Sequence, residues 1–175
     1  MLLRTETVRP EIMPEFGTFE ATETQIAPTA YLVPAELTAV LDRLRAHGVR
    51  MLPLAQAHRL EVQVFHVERS RTADKPFQQH RERTVTGHYL YREEEVPAGT
   101  FMVAMNQPLG RLIFHLLEPR SDDGLLHWNL MDRFLSAHDR VPILRINGPL
   151  PEIPDKASTP VSPPPRGAPG TGGES

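Results

Sequence analysis

The sequence predicts an α+β domain: a mixed or antiparallel β-sheet with two to three helices packed against it. Three observations predict it. A helix-period apolar stripe lies between two strand-like runs within residues 31–54, period-two alternation follows through residues 60–105, and helix period returns from residue 107 before a last strand-like run at 141–146. Residues 1–27 carry Pro10, Pro14 and Gly17 without apolar periodicity, so they read as an extended lead-in or linker. Residues 151–175 hold seven prolines and four glycines. Such a segment buries too little apolar surface to offset its ordering, which predicts a disordered Pro/Gly-rich tail. The folded unit is therefore expected over residues 28–150, the size of one domain with a modest core.

Each element follows from local pattern. Tyr31, Leu32 and Val33 form a short strand, and Pro34 suits a first helical turn, where its missing N–H costs nothing. Leu37, Val40, Leu41 and Leu44 recur at i, i+3, i+4 and i+7, one face of a helix. Gly48 stands where a left-handed residue ends it, and Val49–Leu54 resumes as strand. If the two flanking strands share a sheet they run parallel, with a right-handed crossover. Leu60, Val62 and Val64 alternate, and then Phe65 and Val67 shift phase, which predicts a bulge or bend. A polar loop spans 70–82. Val85, Tyr89 and Tyr91 then share one strand face, Pro97–Gly99 is a turn, and Phe101, Val103 and Met105 follow in phase, so these two strands are expected to form a hairpin. Leu109, Leu112, Ile113 and Leu116 predict a helix stopped at Pro119. Residues 121–124 read as a turn, Leu125–Leu135 as a second helix with Ser121 or Asp123 near its cap, and Val141–Ile146 as a short last strand.

Composition excludes several functions. The net charge of -3 supplies no field that draws nucleic acid or an anionic membrane. No apolar run approaches the roughly 18 residues of a membrane span. The start, MLLRTETVRPE, lacks an apolar signal-peptide core, so a soluble chain without a leader is expected, with its compartment left open. The chain has no cysteine, so disulfides, thiol catalysis and cysteine-zinc sites are out, and any metal must be held by His, Asp or Glu. Gly-x-Ser-x-Gly, phosphate-loop and dinucleotide motifs are missing from the sequence as well.

The most suggestive stretch is FHLLEPRSDDGLLHWN, residues 114–129. His115 and Glu118 have a zinc-ligand spacing, and on a helix they stand about 60° apart. The same wheel turns both away from the Leu109 stripe, toward Arg111, which describes a polar or partner-facing helix surface. A catalytic zinc also needs a third protein ligand, for which His127 and Asp122 are the candidates. Asp122 and Asp123 offer calcium oxygens too, but Asp-Asp-Gly is what turns and helix caps prefer, and the EF-hand pattern is missing. His66, His80 and His88 lie near adjacent strands and read as solvated positions, as does the Glu93–Glu95 run. Trp128 is expected in the core or at a domain interface. None of these is taken as a catalytic residue.

Three longer segments share a resemblance: AYLVPAELTAVLDRLRAHGV, VPAGTFMVAMNQPLGRLIFHLLEPRSDDGLLHWN and VPILRI. Together they resemble the C-terminal region of bacterial M14-family zinc carboxypeptidase-like proteins, over roughly residues 16–147. The resemblance implies a non-catalytic domain with a structural or interaction role beside an M14-like catalytic domain, upstream or separate, that lies outside this sequence. It implies zinc in that parent domain and no cofactor in this chain. Two alternatives stay open: a small metal-dependent hydrolase using His115 and Glu118, and a peptide- or glycan-binding module.

Overall fold

The computed structural model describes residues 10, 12–15, 17–18, 20, 23–135 and 139–151. Most of the expected tail, from residue 152, and much of the expected lead-in lie outside them. Among the described residues, six strands and three helices follow in the order β1 (Ala30–Val33), α1 (Thr38–Ala46), β2 (Leu52–Pro53), β3 (His58–Thr72), β4 (Arg83–Val96), β5 (Phe101–Ala104), α2 (Gly110–Leu117), α3 (Asp132–Leu135) and β6 (Arg140–Ile146). The strands make one sheet in the order β2-β5-β1-β6-β3-β4, and every paired neighbour is antiparallel. The fold is α+β, as expected. Among the described residues no helix is long and apolar enough to cross a membrane.

The sheet is buried on both faces near its centre, and the alternation of the strands assigns each face. On β1, Tyr31 and Val33 enter a large core with Leu37, Val40, Leu41 and Leu44 of the α1 region and Ile113, Leu116 and Leu117 of α2. Ala30 and Leu32 point the other way, into a smaller core with Leu54, Val62, Val64, Val96, Met102 and Ile146. This two-sided burial explains the apparent phase shift in β3. Val62 and Val64 serve the small core while Phe65 serves the large one, in unbroken alternation. The bulges are real and fall where expected: the β3–β6 register slips between Val64 and His66, around Phe65, and the β3–β4 register slips between Val67 and Arg69. Pro142 sits on β6 inside the β3–β6 slip, where its missing N–H removes no ladder bond.

Helix α1 is built as its pattern requires, with Val40, Leu41 and Leu44 buried and Gly48 at φ 78° closing its end. Pro34 lies outside it, in a turn closed by Leu37 N–H donating to the Pro34 carbonyl. Strands β1 and β2 do run parallel, but β5 lies between them and pairs antiparallel with each. Strand β2 is only two residues long.

Two expectations fail. The Pro97–Gly99 turn forms, with Gly99 at φ 85°, yet β4 and β5 are not a hairpin. Strand β4 zips along β3 from Arg83 to Val96, and β5 crosses to pair with β1 and β2. The turn chemistry was legible; the partner was fixed by the fifteen-residue β3 offering a longer ladder. Likewise the second helix shrinks to Asp132–Leu135, four residues. Asn129 adopts φ 71°, a left-handed conformation that breaks a helix running from Leu125. Asp123 caps nothing; its carboxylate accepts from the Trp128 indole N–H.

Candidate functional site

A polar row crosses the helix-covered face of the sheet. Register places Val103, Tyr31, Arg145, Gln63 and Tyr91 directly beside one another on β5, β1, β6, β3 and β4. Directly paired residues share a face, and alternation along β6 puts Arg145 on the same face as the core residues Ile143 and Val141, two and four positions before it. Tyr89, on the same face of β4, packs edge-on against Phe65 with ring centroids 5.0 Å apart.

Glu118 descends onto this row from α2. The helix ends at Leu117, and Glu118 turns to φ -69°, ψ 128° ahead of Pro119. That extended residue drops its side chain out of the helical wheel and into the interior, where it is 6% exposed. The expectation of a polar, partner-facing surface at Glu118 is therefore corrected: the wheel was extended one residue past the helix. Tyr31 O–H donates to Glu118 Oε1, and Tyr89 O–H donates to Oε2 at 2.9 Å. Arg145, 2% exposed, places Nε 3.6 Å from Oε1 and its guanidinium carbon 4.3 Å over the Tyr89 ring. Its Nη2 donates to the Ile26 carbonyl. Two cavities flank the row. One, of about 490 Å³, is lined by Glu118, Tyr89, His115, Arg120 and Asp122 among others. The other, of about 360 Å³, is lined by Arg145, Gln63, Tyr91 and Asn147 with residues 25–29.

Burial raises the phenol pKa of Tyr31 and Tyr89 far above the ordinary range, and the adjacent Glu118 carboxylate adds to it. Both phenols are thus locked as neutral donors. The sign follows: their contribution to stability is whole below pH ~10, where unfolded tyrosine is also protonated, and is lost as pH rises beyond it. Urea midpoints measured from pH 8 to 11 should fall above pH ~10, by up to ~1.4 kcal/mol per pH unit for each tyrosine. A Tyr31→Phe/Tyr89→Phe variant should show a flatter decline.

The zinc-like spacing does not gather a ligand set. His115 is exposed, with Nδ1 3.4 Å from Ser121 Oγ and Nε2 3.9 Å from Asp123. Glu118 has both oxygens taken by tyrosines. His127 is buried, stands edge-on to Trp128 at 5.7 Å and has Nε2 3.9 Å from Glu82. Asp122 is exposed at the rim of the larger cavity. Among the described residues no three His, Asp or Glu side chains are arranged to hold a metal ion, so the described residues do not fit a zinc ion. His66 and His88 approach each other, 5.8 Å between ring centroids, and His88 bonds Glu68 at 2.8 Å. His80 lies apart, against Trp128, which is half-buried under the β3–β4 connection with Phe77.

Arg145, Tyr31 and Tyr89 were not singled out from sequence as site residues. A signal for Arg145 existed: it continues the inward phase of Val141 and Ile143, where a charge is unexpected.

Comparison with known proteins places this chain beside part of a carboxypeptidase. It is 30% identical over 128 residues to "Carboxypeptidase 2" of Trichophyton tonsurans, covering 73% of this chain and 23% of that protein. Similarity to "Carboxypeptidase 2" of Trichophyton rubrum is 29% over 124 residues, covering 70% and 22%. Similarity to "Probable carboxypeptidase 2" of Arthroderma benhamiae is 33% over 107 residues, covering 61% and 20%. These relatives are fungal, and the chain spans less than a quarter of their length. No protein-family model and no solved structure matches the chain.

Proposed function

We propose that this chain is a non-catalytic, C-terminal domain of an M14-type zinc carboxypeptidase-like protein, with a structural role beside a peptidase domain that carries the zinc. The observation that carries the reading is the pattern of coverage. Nearly three quarters of this chain aligns with carboxypeptidases, and that alignment accounts for under a quarter of theirs. Support comes from the site itself. A glutamate whose two oxygens both accept from tyrosine hydroxyls, with a buried arginine beside it, is built to hold a shape; a general base would keep an oxygen for the proton it takes.

The purified chain should contain zinc well below one equivalent and should not release C-terminal residues from peptides. Stoichiometric zinc by elemental analysis, together with carboxypeptidase turnover, would overturn the reading. A second measurement tests the structural role. Deleting the matching segment from Trichophyton tonsurans carboxypeptidase should lower its melting temperature, and grafting this chain in its place should restore most of the loss. An unchanged melting temperature on deletion would count against the proposal.

A further inference from the structure

Strand β4 is an edge of the sheet, with β3 on one side of it. Three backbone hydrogen bonds show which of its residues face outward. Arg83 N–H donates away from β3, to the His127 carbonyl. The Glu82 carbonyl accepts from Ala73 N–H, on the β3 side. Val67 N–H, opposite Gly87, turns to the Asp139 carbonyl instead of to β4. The extra residue at the bulge belongs to β3, so β4 alternates without a break. Its even-numbered residues therefore turn toward β3, and Gly87, Tyr89, Tyr91 and Glu93 turn their N–H and C=O groups outward. Among the described residues no backbone group pairs with these four.

The face of the sheet away from the helices supplies a second observation. Register lines up Leu52, Met102, Leu32, Leu144, Val64 and Leu90 as one apolar row through β2, β5, β1, β6, β3 and β4. The row runs to the open edge and ends there on a half-buried Leu90. An unpaired edge of this kind is a template for a further strand.

We infer that β4 is the contact between two copies of this chain, paired antiparallel about a two-fold axis at Leu90 into one continuous sheet. What selects a second copy is self-complementarity. With the axis there, Leu90 meets Leu90 and the apolar row runs on into the second copy. Tyr91, 59% exposed, lies opposite the second copy's Tyr89, an aromatic cross-strand pair made twice. Glu93 lies opposite Gly87, where no side chain stands in its way. Arg92 faces the second copy's His88, whose ring bonds the Glu68 carboxylate. Glu94 lies opposite Thr86, one strand from the second copy's Arg69, so unlike charges approach on both sides of the axis. The outward residues of the two copies exchange about eight backbone hydrogen bonds. Neighbouring registers lose this fit. An axis at Arg92 sets Arg92 against Arg92, and an axis at His88 sets Leu90 against Thr86 and ends the row. The pairing is independent of the carboxypeptidase relationship.

Sedimentation velocity of the full chain should show a monomer–dimer equilibrium. A single strand pair is a small interface, so dissociation is expected at roughly micromolar concentration. Amide hydrogen exchange reads the geometry. As concentration rises, the amides of Gly87, Tyr89, Tyr91 and Glu93 should gain protection, while those of His88, Leu90 and Arg92, facing β3, should be protected throughout. Glu93→Pro removes an outward N–H and no bond to β3, so it should keep the β3–β4 ladder and weaken dimerisation about tenfold. Leu90→Lys sets like charges at the axis and should weaken it as well. Glu93→Ala keeps the N–H and should dimerise as the parent chain does. A monomer at every concentration, or a dimer that leaves the four outward amides unprotected, would overturn the inference. So would protection of those amides that does not change with concentration, as cover by another part of this chain would give. Dimerisation of a folded Glu93→Pro or Leu90→Lys variant as tight as the parent's would overturn it too.

Discussion

Glu118→Ala should destabilise the domain by about 3–5 kcal/mol, because it strips the counter-charge from a guanidinium that is almost wholly buried. Three losses coincide. Arg145 is left as an isolated charge in a low-dielectric interior, and the Tyr31 and Tyr89 hydroxyls lose their acceptor together. Urea denaturation followed by far-ultraviolet circular dichroism would read the change as a fall in midpoint at constant slope. A second variant separates charge from packing. Glu118→Leu/Arg145→Met removes both charges while keeping side-chain volume near the original. It should be more stable than Glu118→Leu alone, although it has lost one more native residue, because no unpaired charge remains. Equal or lower stability of the double variant would show that the two groups are not energetically coupled, and the account of the row as a charge-balanced unit would fail.

The same cluster shows where sequence reading succeeds and where it stops. Local features were legible: the α1 stripe, Gly48 at its end, the α2 stripe and its stop at Pro119, and the Pro97–Gly99 turn are each written within a few residues. The site is assembled by register, which is not local. Tyr31, Arg145 and Gln63 lie on three strands separated by up to 114 positions in the chain, from 31 to 145, and only the pairing of β6 between β1 and β3 makes them neighbours. The seven-residue β6 reads as a short last strand and proves central. Glu118 was misplaced for a different reason. Periodicity assigns a face only while the backbone stays helical, and a residue immediately before proline is pushed out of the α region. Ahead of Pro119, Glu118 took ψ 128° and exchanged the surface for the core.

Gly87→Ala should cost about 3 kcal/mol or more, because among the described glycines it is the one where an added Cβ meets the closest obstacle. A Cβ built at Gly87 would stand 1.9 Å from the His66 carbonyl oxygen and 3.0 Å from the Phe65 ring. The obstacle is backbone, so no rotamer change relieves it. The reason lies in the register. Val67 pairs with Gly87 and Arg69 with Thr86, so β3 carries one extra residue at this point, and the two strands can close over the bulge only where one of them lacks a side chain. Gly99→Ala is the control. Its φ of 85° disfavours a side chain, but a Cβ there meets nothing within 4 Å, so a cost nearer 1 kcal/mol is expected. Hydrogen exchange would localise the Gly87→Ala damage to the β3–β4 ladder around Phe65–Arg69 and Val85–Tyr89. Tyr89 lies two residues from the substitution and donates to Glu118, so the strain should also loosen the buried row, lowering protection at the end of α2. An unchanged denaturation midpoint for Gly87→Ala would mean that the strands can separate at the bulge without loss. The tight β3–β4 closure would then not be what holds Tyr89 against Glu118.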